Sequence, residues 1–169
     1  MRKIYCLLFA VALLFNSCSV SLSGASIPPG MKTVSVNFFE NNAPLVVPYL
    51  SQQFTEALRT RIRNQSPLSM VQNDGEGIFE GRITGYDIRP VTLTDNRVQT
   101  NQGTSRLSVT VTVKYTNSLN PKQSFEEPFT RYKDFPVTGT TFQALEPQLI
   151  RDITAQLTED IFNRAFAQW

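Results

Sequence analysis

With 169 residues, 16 basic against 14 acidic side chains, no histidine and two cysteines, the chain has the size of one domain and almost no net charge. Nucleic acid is an unsuitable partner, because phosphate binding rests on a clustered basic footprint that this balance does not supply. The lack of histidine also removes the usual general base and the commonest metal ligand, so only carboxylate, lysine or serine chemistry is left to an enzyme.

The N-terminus carries Arg2 and Lys3, then a mostly apolar run from Ile4 to Phe15, then Asn16, Ser17 and Cys18. That run is shorter than the roughly 20 apolar residues a membrane-spanning helix needs, and with its basic start and small Ser17 it reads as a secretory signal covering residues 1–17. Leu14-Phe15-Asn16-Ser17-Cys18 is similar to the lipobox of bacterial lipoprotein precursors, which makes Cys18 the lipid-attachment residue. Cys6 leaves with the signal, so the mature chain has no free thiol and no disulfide. One acyl chain binds a membrane only marginally, whereas two or more, palmitate among them, anchor it firmly. Ser19 rather than aspartate follows the cysteine, which favours the outer membrane, and the absence of an acidic cluster after it favours the periplasmic face. The competing reading is an ordinary signal peptide that leaves Cys18 as a thiol.

Residues 18–31 are small, polar and proline-bearing, and read as a tether to a single domain at 32–169. The domain opens with a strand at 32–40, where Val34, Val36 and Phe38 alternate against Thr33, Ser35 and Asn37. Residues 49–64 repeat apolar side chains at Leu50, Phe54, Ala57, Leu58 and Ile62, the period of an amphipathic helix. Arg61 falls on that apolar side, and Arg59 and Arg63 lie opposite. A short strand at 68–72 and a turn at Asn73-Asp74-Gly75 follow. The next strand, 78–89, loses its alternation near Gly85, which predicts a bulge. Residues 92–105 read as a polar loop. Then comes the clearest strand, with Leu107, Val109, Val111, Val113 and Tyr115 inside and Ser108, Thr110, Thr112, Lys114 and Thr116 outside. After a turn, residues 123–135 form a strand in which Pro128 lacks a donor, the mark of an edge or a bulge. A helix over 145–169 closes the chain. The order predicts an α+β fold with two helices packed on one face of a four- to five-stranded, mostly antiparallel sheet.

Several segments together resemble the lipopolysaccharide-assembly lipoprotein family, LptE. They are Ser23-Gly24-Ala25-Ser26-Ile27-Pro28, Lys32-Thr33-Val34-Ser35-Val36-Asn37-Phe38-Phe39 with Asn41-Asn42-Ala43-Pro44, Leu50-Ser51-Gln52-Gln53-Phe54-Thr55-Glu56-Ala57-Leu58, Phe79-Glu80-Gly81-Arg82-Ile83-Thr84-Gly85-Tyr86, and Asp160-Ile161-Phe162-Asn163. The resemblance implies two helices on a sheet and a non-catalytic role. Family members sit as a plug in the outer-membrane β-barrel translocon LptD, help it assemble, and assist delivery of lipopolysaccharide to the outer leaflet.

A plug must offer polar groups to a barrel lumen, since barrel interiors are polar. Arg82, Thr84, Thr110, Thr112 and Lys114 fit that need, as they also fit an ordinary solvated sheet face. In the last helix Phe162, Phe166 and Trp169 fall on a second side. Phe166 and Trp169 are therefore expected either at a partner contact or in a local core. Lipopolysaccharide carries phosphates, for which Arg89, Arg97 and Arg106 are the natural handles. The acidic pairs Asp74/Glu76, Glu126/Glu127 and Glu159/Asp160 read as solvated groups, with no cofactor or metal implied. Two other classes remain open: a glycolipid or small-ligand carrier acting alone, which requires an apolar pocket between helices and sheet, and a pilot lipoprotein with a peptide groove.

Overall fold

The structure is a computed structural model that describes residues 27–45, 47–91, 103–139 and 141–167. Cys18, most of the expected tether, Arg97 and Trp169 lie outside the described residues. Among those described, no helix is long and apolar enough to cross a membrane.

Six strands, two helices and a short 3-10 turn follow in the order β1 (Thr33–Val36), β2 (Glu40–Asn41), α1 (Leu50–Gln65), β3 (Ser69–Val71), β4 (Gly77–Val91), β5 (Thr104–Asn117), the 3-10 turn Pro121–Gln123, β6 (Phe125–Pro136) and α2 (Phe142–Phe166). They build one sheet ordered β3-β1-β4-β5-β6, with β2 also on β4, and both helices pack on one side of it. The long ladders β4-β5 and β5-β6 are antiparallel, as expected. β1 runs parallel to both β3 and β4, and β2 runs parallel to β4, so the sheet is mixed. The parallel part follows from α1, whose crossover returns the chain to the same end of the sheet before β3 begins.

The strand expected at 32–40 is broken in two. Val36 pairs with Phe79 but Glu40 pairs with Arg82, so one strand spends an extra residue over the same stretch of β4. This bulge reverses the alternation after Asn37: Phe39 is fully buried and its N–H bonds to Thr55 Oγ1 on α1, whereas Phe38, expected inside, is 56% exposed. The bulge expected near Gly85 is present, with the register of β4 on β5 shifting between Ile83 and Gly85. It returns Tyr86 and Ile88 to the helix side, which is why the alternation in the sequence fails there.

The core lies between helices and sheet. Leu50, Phe54, Leu58 and Ile62 of α1 and Ile150, Ile153, Leu157 and Ile161 of α2 are fully buried against Phe79, Ile83, Leu107, Val111 and Tyr115. Burying each such side chain contributes about 1.5–3 kcal/mol, enough to stabilise a domain without a disulfide. Burial raises the Tyr115 phenol to about 12. Phe166 packs on Phe79 and Tyr115 with ring centroids 5.9 and 5.8 Å apart and has no exposed surface. Of the two places expected for it, the ring therefore occupies the core. The apolar stripe of α2 widens at its end because the helix there lies over β4 and β5 together. Arg61 joins the helices, its guanidinium donating to Thr158 Oγ1 at 3.0 Å and to the Ala155 carbonyl at 2.9 Å.

α2 begins three residues before the expected position, with Thr141 as its N-cap. Along its flank it meets charged side chains of β6, and at its start Phe142 packs on Phe135 of β6 with ring centroids 5.3 Å apart. Arg164 pairs with Glu127 at 2.7 Å, Asp160 with Arg131 at 2.6 Å and Asp152 with Lys133 at 3.3 Å. β6 is an edge strand, as Pro128 implies. The Thr112 carbonyl points at Gly81 of β4, so by alternation the odd-numbered residues of β5 bond to the odd-numbered residues of β6. The even-numbered residues of β6 then face the free edge, and two of them, Pro128 and Pro136, have no N–H to offer there.

The start of the domain is latched by Glu76. Its carboxylate accepts from the backbone N–H groups of Lys32 and Thr33, while its own N–H donates to Thr33 Oγ1. These bonds to the charged form hold its carboxyl below the ordinary value of 4.5. A lowered folded-state value means that the contribution is complete above that pH and disappears as pH falls through the folded value. Denaturant midpoints of wild type should accordingly decline faster than those of Glu76→Gln below about pH 4.5. Parallel curves for the two proteins would show that the latch contributes nothing.

Candidate interaction face

Among the described residues, nothing covers the side of the sheet away from the helices. On β5 the strict alternation places Arg106, Ser108, Thr110, Thr112, Lys114 and Thr116 on it and leaves every second residue buried beneath. β4 adds Glu80 and Arg82, and the bulge adds Thr84, whose hydroxyl lies 3.5 Å from both Thr112 Oγ1 and the Thr110 carbonyl. β6 adds Glu126, Thr130, Tyr132 and Asp134, with Thr110 and Thr130 sharing a hydrogen bond of 2.9 Å. Arg82, Thr84, Thr110, Thr112 and Lys114, chosen from alternation alone, thus lie on one continuous polar face.

Most charges on this face are neutralised within it. Lys114 pairs with Glu80 at 3.3 Å, and Asn37 also donates to Glu80. Arg106 bonds Asp134 with both arms of its fork, at 2.6 and 2.9 Å, and stacks 3.7 Å over the Tyr132 ring. That fork holds the Asp134 carboxyl below the usual carboxylate range. Arg89 pairs with Asp87 and is 79% exposed. Arg89 and Arg106 are cross-strand partners near the far ends of β4 and β5, so the structure brings two of the three expected phosphate handles together. Each already has a carboxylate, and Arg106 has its fork occupied. Arg82 makes no ion pair among the described residues.

In the middle of the face lies an open depression of about 430 Å³. Its rim comes from the β1–β2 bulge through Asn37, Phe38, Glu40 and Asn42, and its floor from Gly81, Arg82 and Thr112. Sequence reasoning missed Phe38, Glu40 and Asn42. The signal was the pair Phe38-Phe39 followed by polar residues, since two adjacent aromatics on a strand cannot both face one core.

Behind the face the helices meet the sheet in solid packing: Phe39 and Phe54 of α1 touch edge to face at 5.0 Å, and Phe79 of β4 and Phe166 of α2 at 5.9 Å. The Tyr86 hydroxyl donates to Glu146 of α2 at 2.6 Å, and its burial pushes the phenol well above its ordinary value.

No curated protein matches the chain in sequence. Among solved structures it is similar to a minor lipoprotein from Acinetobacter baumannii, with 16% identity, a TM-score of 0.52, and 79% of this chain and 91% of that one covered. An uncharacterized lipoprotein B from Nitrosomonas europaea gives 16% identity and a TM-score of 0.51 over 78% of this chain and 80% of that one. A hypothetical protein from Chlamydia trachomatis gives 9% and 0.57 over 82% and 99%. At such identities these likenesses concern the fold. The family model for lipopolysaccharide assembly, LptE, matches residues 31–165, which spans β1 to the last turn of α2 and the whole polar face between them, and the chain therefore belongs to the LptE lipopolysaccharide-assembly family.

Proposed function

We propose that the protein is an outer-membrane lipoprotein that assembles with and plugs a β-barrel lipopolysaccharide translocon, an LptD-like partner, and assists delivery of lipopolysaccharide to the outer leaflet. In this reading residues 1–17 are removed, Cys18 is acylated, residues 18–31 tether the domain of 32–169 to the periplasmic face of the outer membrane, and the role is assembly rather than catalysis. The observation that carries it is the uncovered face of β4, β5 and β6. Hydroxyls and self-neutralised ion pairs such as Lys114 with Glu80 can meet a polar lumen wall without leaving a charge unpaired. Arg82, Thr84, Thr110, Thr112, Lys114 and Trp169 are the proposed wall contacts, and Arg89, Arg97 and Arg106 the proposed lipopolysaccharide contacts. The carrier reading is weaker, because Phe54, Phe79 and Phe166 fill the space where an acyl chain would have to lie.

The test is recovery of the full-length lipidated chain from its own envelope in mild detergent, with mass spectrometry of what stays bound. One large outer-membrane barrel in equal amount is the expected result. Recovery of the lipoprotein alone, or with free glycolipid only, would overturn the plug reading in favour of the carrier.

A further inference from the structure

The depression on the polar face has a composition that selects among ligands. It is open and about 430 Å³ in volume, within the roughly 300–1,000 Å³ of small-molecule sites. A lipid tail does not suit it, since most of its lining is amide, carboxylate, hydroxyl and guanidinium. A bare phosphate would meet the carboxylates of Glu40, Glu80 and Glu126, and an ammonium group would meet Arg82 and Lys114. An uncharged ligand rich in hydroxyls avoids both penalties, because each hydroxyl donates and accepts at once and the lining offers both kinds of partner. Asn37 and Asn42 supply amides, Arg82 supplies donors that no ion pair among the described residues claims, and Glu40 supplies acceptors.

Phe38 adds the apolar element. Its ring is 56% exposed on the rim, displaced outward by the bulge that sends Phe39 into the core. A hydrophobic ring left in water beside convergent polar groups is the arrangement that takes a pyranose, whose C–H face lies on the aromatic while its hydroxyls reach the polar lining. We infer that the depression walled by Phe38, Asn42 and Arg82 is a saccharide site that binds an uncharged sugar ring. This builds on the lipopolysaccharide-assembly reading, since it places the sugar portion of a glycolipid on the face proposed to line the lumen.

The measurement is a calorimetric titration of the full-length chain, free of any barrel, in a detergent without a sugar head group, using lactose, glucose 6-phosphate and glucosamine as probes. Saturable binding of lactose, with glucose 6-phosphate and glucosamine weaker, is expected. Phe38→Ala should weaken lactose about tenfold and Asn42→Ala should weaken it too. Both variants should keep the wild-type unfolding midpoint, because neither residue is in the core. Absence of lactose binding, preference for the phosphorylated sugar, or binding indifferent to Phe38→Ala would each overturn the inference. Because no barrel is present, such a failure leaves the plug reading to its own test, and loss of the barrel in the pull-down does not touch the sugar result.

Discussion

Gly81→Ala is expected to lower the thermal unfolding midpoint by roughly 10 °C, for a cost of about 3 kcal/mol or more. A methyl group built on Gly81 would stand 2.2 Å from the Thr112 carbonyl oxygen and 2.6 Å from the Phe39 ring. Neither neighbour can withdraw cheaply. The carbonyl belongs to the central strand β5, and the ring is pinned between the sheet and Phe54 of α1. Two strands or a core aromatic must therefore shift, in a domain whose whole stability is on the order of 5–15 kcal/mol. Gly85→Ala is the control. There the nearest atom, at 3.1 Å, is the Thr110 side chain on the open face, and the cost should be clearly smaller. Equal midpoints for Gly81→Ala and wild type would mean that Phe39 does not lie over β4 as described.

Phe166→Ala should cost about 3–5 kcal/mol. Its ring has no solvent exposure and touches Phe79, Tyr115 and Phe162, so truncation leaves a cavity under the end of α2 where three aromatics converge. Denaturant unfolding followed by near-ultraviolet dichroism reads both the loss and the disturbed aromatic packing. A variant with an unchanged midpoint that fails to recover its partner would instead restore Phe166 to the surface. Phe38→Ala, by contrast, removes an exposed ring and should stay within about 0.5 kcal/mol of wild type.

Much of this fold is written in short-range patterns. β5 shows in the sequence because its period of two is unbroken from Leu107 to Tyr115, and α1 because Leu50, Phe54, Leu58 and Ile62 recur at helical spacing. The polar face of β5 follows from the same alternation, which is why Thr110, Thr112 and Lys114 could be placed on it. What could not be read depends on contacts between distant segments. The bulge after Val36 exists because α1 claims the Phe39 N–H through Thr55, and no local pattern predicts a bond to a residue that far along the chain. It exchanged Phe38 and Phe39 between core and surface and so hid the depression. Phe166 was ambiguous for a related reason: a helical wheel shows that a second side is apolar, but not that two strands lie beneath it. The carboxylate that occupies Arg106 likewise depends on strand register, which sequence spacing does not give, whereas the partner of Arg89 is Asp87, two residues away on the same strand.

The length of β4 sets a scale for the whole molecule. The chain comes into the sheet at Val34, beside Gly77, and β4 then runs to Val91 at the opposite end. Fifteen residues of extended backbone cover on the order of 45 Å, more than the roughly 30 Å thickness of a bilayer's hydrocarbon layer. If the proposed plug stands upright in a lumen with its N-terminal end at the inner leaflet, Val91 at the end of β4 and Thr104 at the start of β5 lie level with the outer one. Arg89 and Arg106 would then report from one leaflet while the Glu76 latch sits at the other.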